Sequence, residues 1–245
     1  MPKLLIVEES IIVKAVFKEL LDALGEFDYD MASSYAEAKK LLAQRRYEYA
    51  VVNHILKDAP HGEIISLFNK HYLAPLLFTS EINEDFFDDF EGAHIIGYIK
   101  KIKYDNEAMV VKKLQQLHAN KKITTMIVSD SKIYNSYLKQ NLTLHSFKVF
   151  SVYNNEEAYE KLTLHPETEL LIVDFNEPYV RAVEIVEFAR AQKALKNLKI
   201  IILSDESNSY YTSSLLHSGA DDYLIKDFSR DEFYVRVYQN INKVC

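Results

Sequence analysis

Short apolar runs that end abruptly at a polar residue recur along this chain. Leu170-Leu171-Ile172-Val173 runs into Asp174-Phe175-Asn176, and Leu4-Leu5-Ile6-Val7 runs into Glu8-Glu9-Ser10. These runs do not alternate and are too short for buried helices, so they predict strands buried on both faces of a parallel sheet. The segments between them change period. Ile12, Val13, Val16, Phe17, Leu20, Leu21 and Leu24 recur at three and four, the apolar face of a helix. Ser34 with Glu37 three residues on reads as a capping box, and Asn154-Asn155-Glu156-Glu157 as a capped, acidic first turn. Pro178 can open a further helix, continued by Val183, Val186 and Phe188. Strand alternating with helix predicts an α/β fold, a doubly wound parallel sheet with helices on both faces.

The pattern is written twice. Lys3–Ser10 is echoed by 124–131, Tyr49–Asn53 by 170–174, 75–80 by 200–205, and 97–101 by 222–226. Two offsets describe the match: 130 − 9 and 174 − 53 both give 121, while 204 − 79 and 226 − 101 both give 125. One four-residue difference between the third and fourth strands reconciles the copies, a register that chance apolar runs would not keep. The chain therefore reads as a tandem duplication, with domains at 1–120 and 121–245 and a boundary in the polar stretch Ala119-Asn120-Lys121-Lys122. So short a linker implies domains that lie close. The last helical pattern is still running at Cys245, so a continuation beyond this end is expected.

Composition narrows the function. A net charge of −7 argues against a nucleic-acid groove or an anionic membrane surface. The N-terminus turns acidic at Glu8 and Glu9, unlike a signal peptide or a membrane span. Cys245 is the single cysteine, which fits a reducing, cytoplasmic setting. The five glycines form neither a phosphate-cradling loop nor a dinucleotide fingerprint. The eight histidines show no helical pair of ligands, and the tyrosines read as packing. The acidic residues Glu84, Asp85, Asp88, Asp89 and Glu91 read as a solvated helix face.

The chemistry gathers at strand ends. In the second copy these ends carry Asp130, Asp174, Ser204 and Lys226, and a doubly wound sheet brings them to one edge. Two carboxylates side by side repel unless a cation intervenes, which suits a hard divalent ion such as Mg²⁺. A lysine and a hydroxyl complete a socket for a small tetrahedral anion on one carboxylate.

This set and order resemble the receiver domain of two-component response regulators, over nearly the whole chain as two receivers in tandem. The resemblance implies two flavodoxin-like (βα)5 domains with five-stranded parallel sheets. It implies that Asp174 accepts a phosphoryl group from a histidine kinase or phosphotransfer protein in a Mg²⁺-dependent reaction. Asp130, Asp174 and the backbone carbonyl of Asn176 would hold the metal, Lys226 would pair with the phosphoryl oxygens, and Ser204 would hydrogen-bond the phosphate. Tyr223 would follow Ser204 as the switch. The chain departs from the family pattern at Ser129, where a first acid is usual, at Asp227, where proline follows the lysine, and at Asp205, where a small residue is usual. Metal affinity is therefore expected to be reduced, and access of the anion slowed.

The first copy holds Glu8, Glu9, Thr79 and Lys101 but has Asn53 at the acceptor position. An amide cannot form an acyl phosphate, so this copy is similar to a degenerate receiver with a docking or dimerisation role. Its lysine is followed by Ile102, and the neighbouring His54 should point to the opposite face from Asn53. The expectation is a signalling module, not a turnover enzyme. It would work with its kinase, a second copy of itself and a C-terminal output domain, without nucleic acid or membrane. The alternatives are the regulatory front part of a larger enzyme such as a diguanylate cyclase, a phosphorylation-independent scaffold, and an aspartyl phosphohydrolase. The last would need a second Asp where Asn176 stands.

Overall fold

The computed structural model describes residues 1–80, 92–101, 106–175 and 180–242. Ile102, Asn176, Pro178, Cys245 and the acidic stretch 84–91 lie outside them. The chain divides into two units, Met1–His118 and Ala119–Cys245.

In the first unit the strands are β1 (Lys3–Val7), β2 (Asp28–Ala32), β3 (Tyr49–Val52), β4 (Leu76–Thr79) and β5 (Gly97–Lys100). They form one parallel sheet in the order β2-β1-β3-β4-β5. Among the described residues its helices are α1 (Ile11–Leu24), α2 (Tyr35–Gln44), α3 (Glu63–Lys70) and α4 (Asn106–Asn120). The second unit repeats the scheme with β6 (Thr124–Val128), β7 (Lys148–Val152), β8 (Thr168–Phe175), β9 (Lys199–Ser204) and β10 (Asp222–Ile225). Its order, β10-β9-β8-β6-β7, is the same sequence of strands counted from the other edge, again all parallel. Helices α5 (Lys132–Leu144), α6 (Asn155–Leu164), α7 (Val180–Ala191), α8 (Ser209–His217) and α9 (Arg230–Ile241) connect and cover it.

The unbroken apolar runs become central strands for the reason read from the pattern. Leu4 to Val7 and Leu170 to Val173 are essentially inaccessible to solvent. Alternate residues feed two separate cores, Leu5 and Val7 on one face of β1 and Leu4 and Ile6 on the other. β8 does the same with Leu171 and Val173 against Leu170 and Ile172. Each fully buried Val, Leu or Ile contributes roughly 1.5–3 kcal/mol of burial free energy.

The caps hold as read. Ser34 Oγ accepts from Glu37 N at 3.1 Å, and the Glu37 carboxylate reaches back to Ser33 N at 2.6 Å, one residue earlier than the simple capping box expects. Asn154 Oδ1 accepts from Glu157 N at 2.8 Å. One residue of the predicted α1 face is corrected: Phe17 and Leu21 are buried, but Ile12 is 76% exposed. At about 100° per residue Ile12 lies on the far side of the helix from Leu21, so its spacing of nine takes it off the stripe. No described helix is long and apolar enough to cross a membrane.

Candidate functional site

Parallel strands with right-handed crossovers leave their C-terminal ends on one edge, and the chain leaves its regular structure there. In the second unit Asp174 lies one residue before the end of β8 and is 4% exposed. Its neighbours are fixed by sheet register: Val173 pairs with Val128 of β6, and Asp174 pairs with Leu203 of β9. Ser129 and Asp130 follow β6, Ser204 ends β9, and Lys226 follows β10, its N–H donating to Ser204 O at 2.8 Å. Ser129 is fully buried, whereas Asp130 is exposed.

Both oxygens of the Asp174 carboxylate are engaged. Ser129 Oγ donates to Oδ2 at 2.5 Å, and Lys226 Nζ lies 2.5 Å from Oδ1 as an ion pair. The same ammonium reaches Asp205 Oδ2 at 2.8 Å, and it sits 5.0 Å from the centre of the Tyr134 ring. Burial works against the Lys226 charge, but hydrogen bonds and attraction from Asp174 and Asp205 outweigh it and hold its pKa above the ordinary lysine value. Burial first, then the charge of Asp174, pushes the Tyr134 phenol up, so it stays protonated.

A second chain of contacts leaves the site sideways. Glu206 N donates to Ser204 Oγ at 3.1 Å, and Tyr223 Oη donates to Glu206 O at 2.9 Å. Ser204 and Tyr223 are thereby joined through one residue of the loop between β9 and α8. Tyr223 is half-buried.

The first unit builds the same edge with a different pairing. Lys101 Nζ lies 2.5 Å from Glu8 Oε2, and the buried Glu8 also accepts from Ser10 N at 2.9 Å. Lys101 stands 5.1 Å over the Phe78 ring. Glu9 accepts from Lys57 N at 3.0 Å, so the second acid is tied to the loop after β3. Asn53 is half-buried and joined to β1 by its N–H to Val7 O at 2.9 Å, and Thr79 is buried at the end of β4. His54 is buried.

Asp174, Ser204 and Lys226 thus share one strand edge, as do Glu8, Thr79 and Lys101. Asn176, the expected third metal ligand, lies outside the described residues. Among the described residues no group of three or more His, Cys, Asp or Glu side chains is placed to hold a metal ion. Two contacts escaped sequence reasoning. Ser129 appears in the sequence as a missing acid but acts as a hydrogen-bond donor to Asp174. Tyr134 appears as one more helical aromatic, and only its position in the first turn after Ser131 hints at the strand edge.

Comparison with known proteins bears on the family and the fold. The response regulator receiver domain matches residues 125–238. Chemotaxis protein CheY1 of Helicobacter pylori is 28% identical over 105 residues, 42% of this chain and 85% of that protein. Response regulator ArlR of Staphylococcus aureus is 30% identical over 112 residues, covering 46% of this chain and 49% of its own length. A crystal structure described as a two-component system response regulator/GGDEF domain protein superposes over 98% of both chains with a TM-score of 0.85 at 24% identity, which establishes the tandem fold. The second unit of this chain is a response regulator receiver domain of two-component signalling.

Proposed function

We propose that Asp174 is the phosphoacceptor of the chain. It would receive a phosphoryl group from a histidine kinase or phosphotransfer protein. The observation that carries this is the buried Asp174 carboxylate held between the Ser129 hydroxyl and the Lys226 ammonium at the C-terminal strand edge. Lys226 would move with the charge, leaving Asp174 for the phosphoryl oxygens as they arrive, and so offset negative charge where it develops. Ser204 would turn its hydroxyl to the phosphate and release Glu206 N. The loop to Tyr223 would follow, so that occupancy at Asp174 shifts the population of a surface near β10.

Hard oxygen donors at this edge suit a divalent ion, although among the described residues no three such side chains are gathered to hold one. Asp174 and Asp205 both lie against the Lys226 ammonium, and Asp130 follows β6 at the same strand edge. Mg²⁺ held by Asp130, Asp174 and the Asn176 carbonyl would supply charge neutralisation at the acceptor. The serine at position 129 leaves one acid fewer than usual, so the affinity should be modest.

The first unit, taken as residues 1–120, would be a receiver without an acceptor: Asn53 cannot take a phosphate, and Lys101 is committed to Glu8. Its role would be docking or dimerisation, with 121–245 as the responsive domain.

Intact mass after incubation with a small-molecule acyl phosphate and Mg²⁺ tests this, with wild type beside Asp174→Asn. One phosphate on wild type and none on the variant is expected. Equal labelling of both proteins would refute the assignment.

A further inference from the structure

The first turn of α5 places an aromatic ring against the lysine. The centre of the Tyr134 ring is 5.0 Å from Lys226 Nζ. The same ring stacks on Tyr137, one turn along, at 5.8 Å and 25°. Tyr134 N donates to the N-cap Ser131 Oγ at 3.2 Å, so the turn is fixed at its start. The Tyr134 hydroxyl is shut off from solvent and finds no hydrogen-bond partner among the described residues.

A space-filling role explains these facts poorly. A buried hydroxyl without a partner costs free energy that phenylalanine would not. The first unit shows that the sheet does not require an aromatic there, since the residue at the matching position is Val13 (134 − 121). That unit approaches its lysine from another element, with Phe78 of β4 against Lys101. The second unit has Leu203 at the position of Phe78 (203 − 125). Each unit therefore sets a ring beside its lysine, from a strand in the first unit and from a helix in the second.

Lys226 is also contested. Asp174, whose side chain is fully buried, holds it inward, while Asp205, 61% exposed, holds it outward. A cation over a ring face is attracted by the ring quadrupole, and more strongly where water is excluded. We propose that Tyr134 is a positioning residue, whose ring seats the Lys226 ammonium at Asp174 against the outward pull of Asp205. The proposal rests on Asp174 being the acceptor, because a seated ammonium matters only where phosphoryl charge arrives.

The test uses the full chain with ¹³C-labelled lysine, first without any phosphodonor. The Lys226 ε-methylene signal, assigned by its loss in Lys226→Met, should be shifted upfield by the ring. Tyr134→Phe should retain that shift and Tyr134→Val should lose it, with Tyr134→Leu as a second variant. With acyl phosphate and Mg²⁺, Tyr134→Val should slow labelling of Asp174 by about two- to fivefold, and Tyr134→Phe should restore it. Adding Asp205→Asn to Tyr134→Val should recover part of the loss. An unmoved Lys226 signal in Tyr134→Val overturns the proposal, and so does a moved signal with an unchanged rate. If wild type takes no phosphate, the acceptor reading fails, and the positioning role falls with it. The lysine signal still reports whether the ring seats the ammonium.

Discussion

Asp205 should act as a brake on phosphorylation, and its removal should be visible in a rate. Its carboxylate lies 2.8 Å from Lys226 Nζ, yet its side chain is 61% exposed while that of Lys226 is only 12% exposed. An ion pair with one partner in water contributes about 0.2–1 kcal/mol after solvent screening. Asp205→Asn removes that hold on Lys226 and one of the negative charges that an incoming phosphoryl donor must approach. Both effects lower the barrier, and the same 0.2–1 kcal/mol corresponds to labelling about 1.4- to 5-fold faster. The assay is intact mass against time with acyl phosphate and Mg²⁺ in low salt, with Asp174→Asn as the blank. Because an exposed charge is screened within about 3 Å at 1 M salt, the advantage should shrink there. A rate that falls or stays the same at low salt would refute the brake. An acceleration that persists undiminished at 1 M salt would show that it does not act through charge.

Three further outcomes follow from the contacts at the two edges. Ser129→Ala should destabilise the second unit by roughly 1.5–3 kcal/mol, the value of a hydrogen bond to a charged group, as read from urea denaturation. The cost should drop sharply when Asp174→Asn is already present, and an unchanged cost would mean that the hydroxyl does not act on the carboxylate. Glu8→Gln should destabilise the first unit by about 1–3 kcal/mol, less than for a fully buried pair because the Lys101 side chain is 20% exposed. Adding Lys101→Met should recover part of that loss, and strict additivity would count against the pair. The pKa of Lys226 is raised in the folded state, so its contribution is complete below the unfolded value near 10.5 and is lost as pH rises through the folded value. The stability difference between wild type and Lys226→Met should therefore narrow in strongly alkaline solution, and a gap that widens there would reverse the sign of the coupling.

Much of the fold was legible because the information is local and one-dimensional. A strand buried on both faces must be continuously apolar, so Leu4 to Val7 and Leu170 to Val173 declare themselves, and the duplicated register ties the fourth and fifth strands to them, whereas the half-exposed edge strands Asp28–Ala32 and Lys148–Val152 carry no such signal. Caps were legible for the same reason: Asn154 and Glu157 are three residues apart. The Asp174 edge was legible only where residues sit at strand ends. Ser129 could be placed there but not aimed, and nothing in the sequence says that its hydroxyl donates to Asp174. Asp205 was seen as a negative charge beside the socket, but its partner is fixed by a turn whose path the pattern does not specify. Tyr134 and Ile12 failed for different reasons: Ile12 lies off the apolar stripe by simple helix geometry, whereas Tyr134 answers to a lysine nearly a hundred residues away.

The strand order has a consequence for synthesis. In each sheet the first strand made is the second in space, flanked by the second and third strands of its own unit, and growth then proceeds only outward from β3 or β8. A nascent chain that has reached Val52 can assemble three strands, but it presents Tyr49–Val52, all four residues buried in the finished protein, as an open border until Leu76–Thr79 emerges. The same gap recurs between Phe175 and Lys199. Translational pauses in these two intervals would leave an apolar hydrogen-bonding edge exposed to other chains, so they mark where a slow ribosome would most endanger the yield of folded protein.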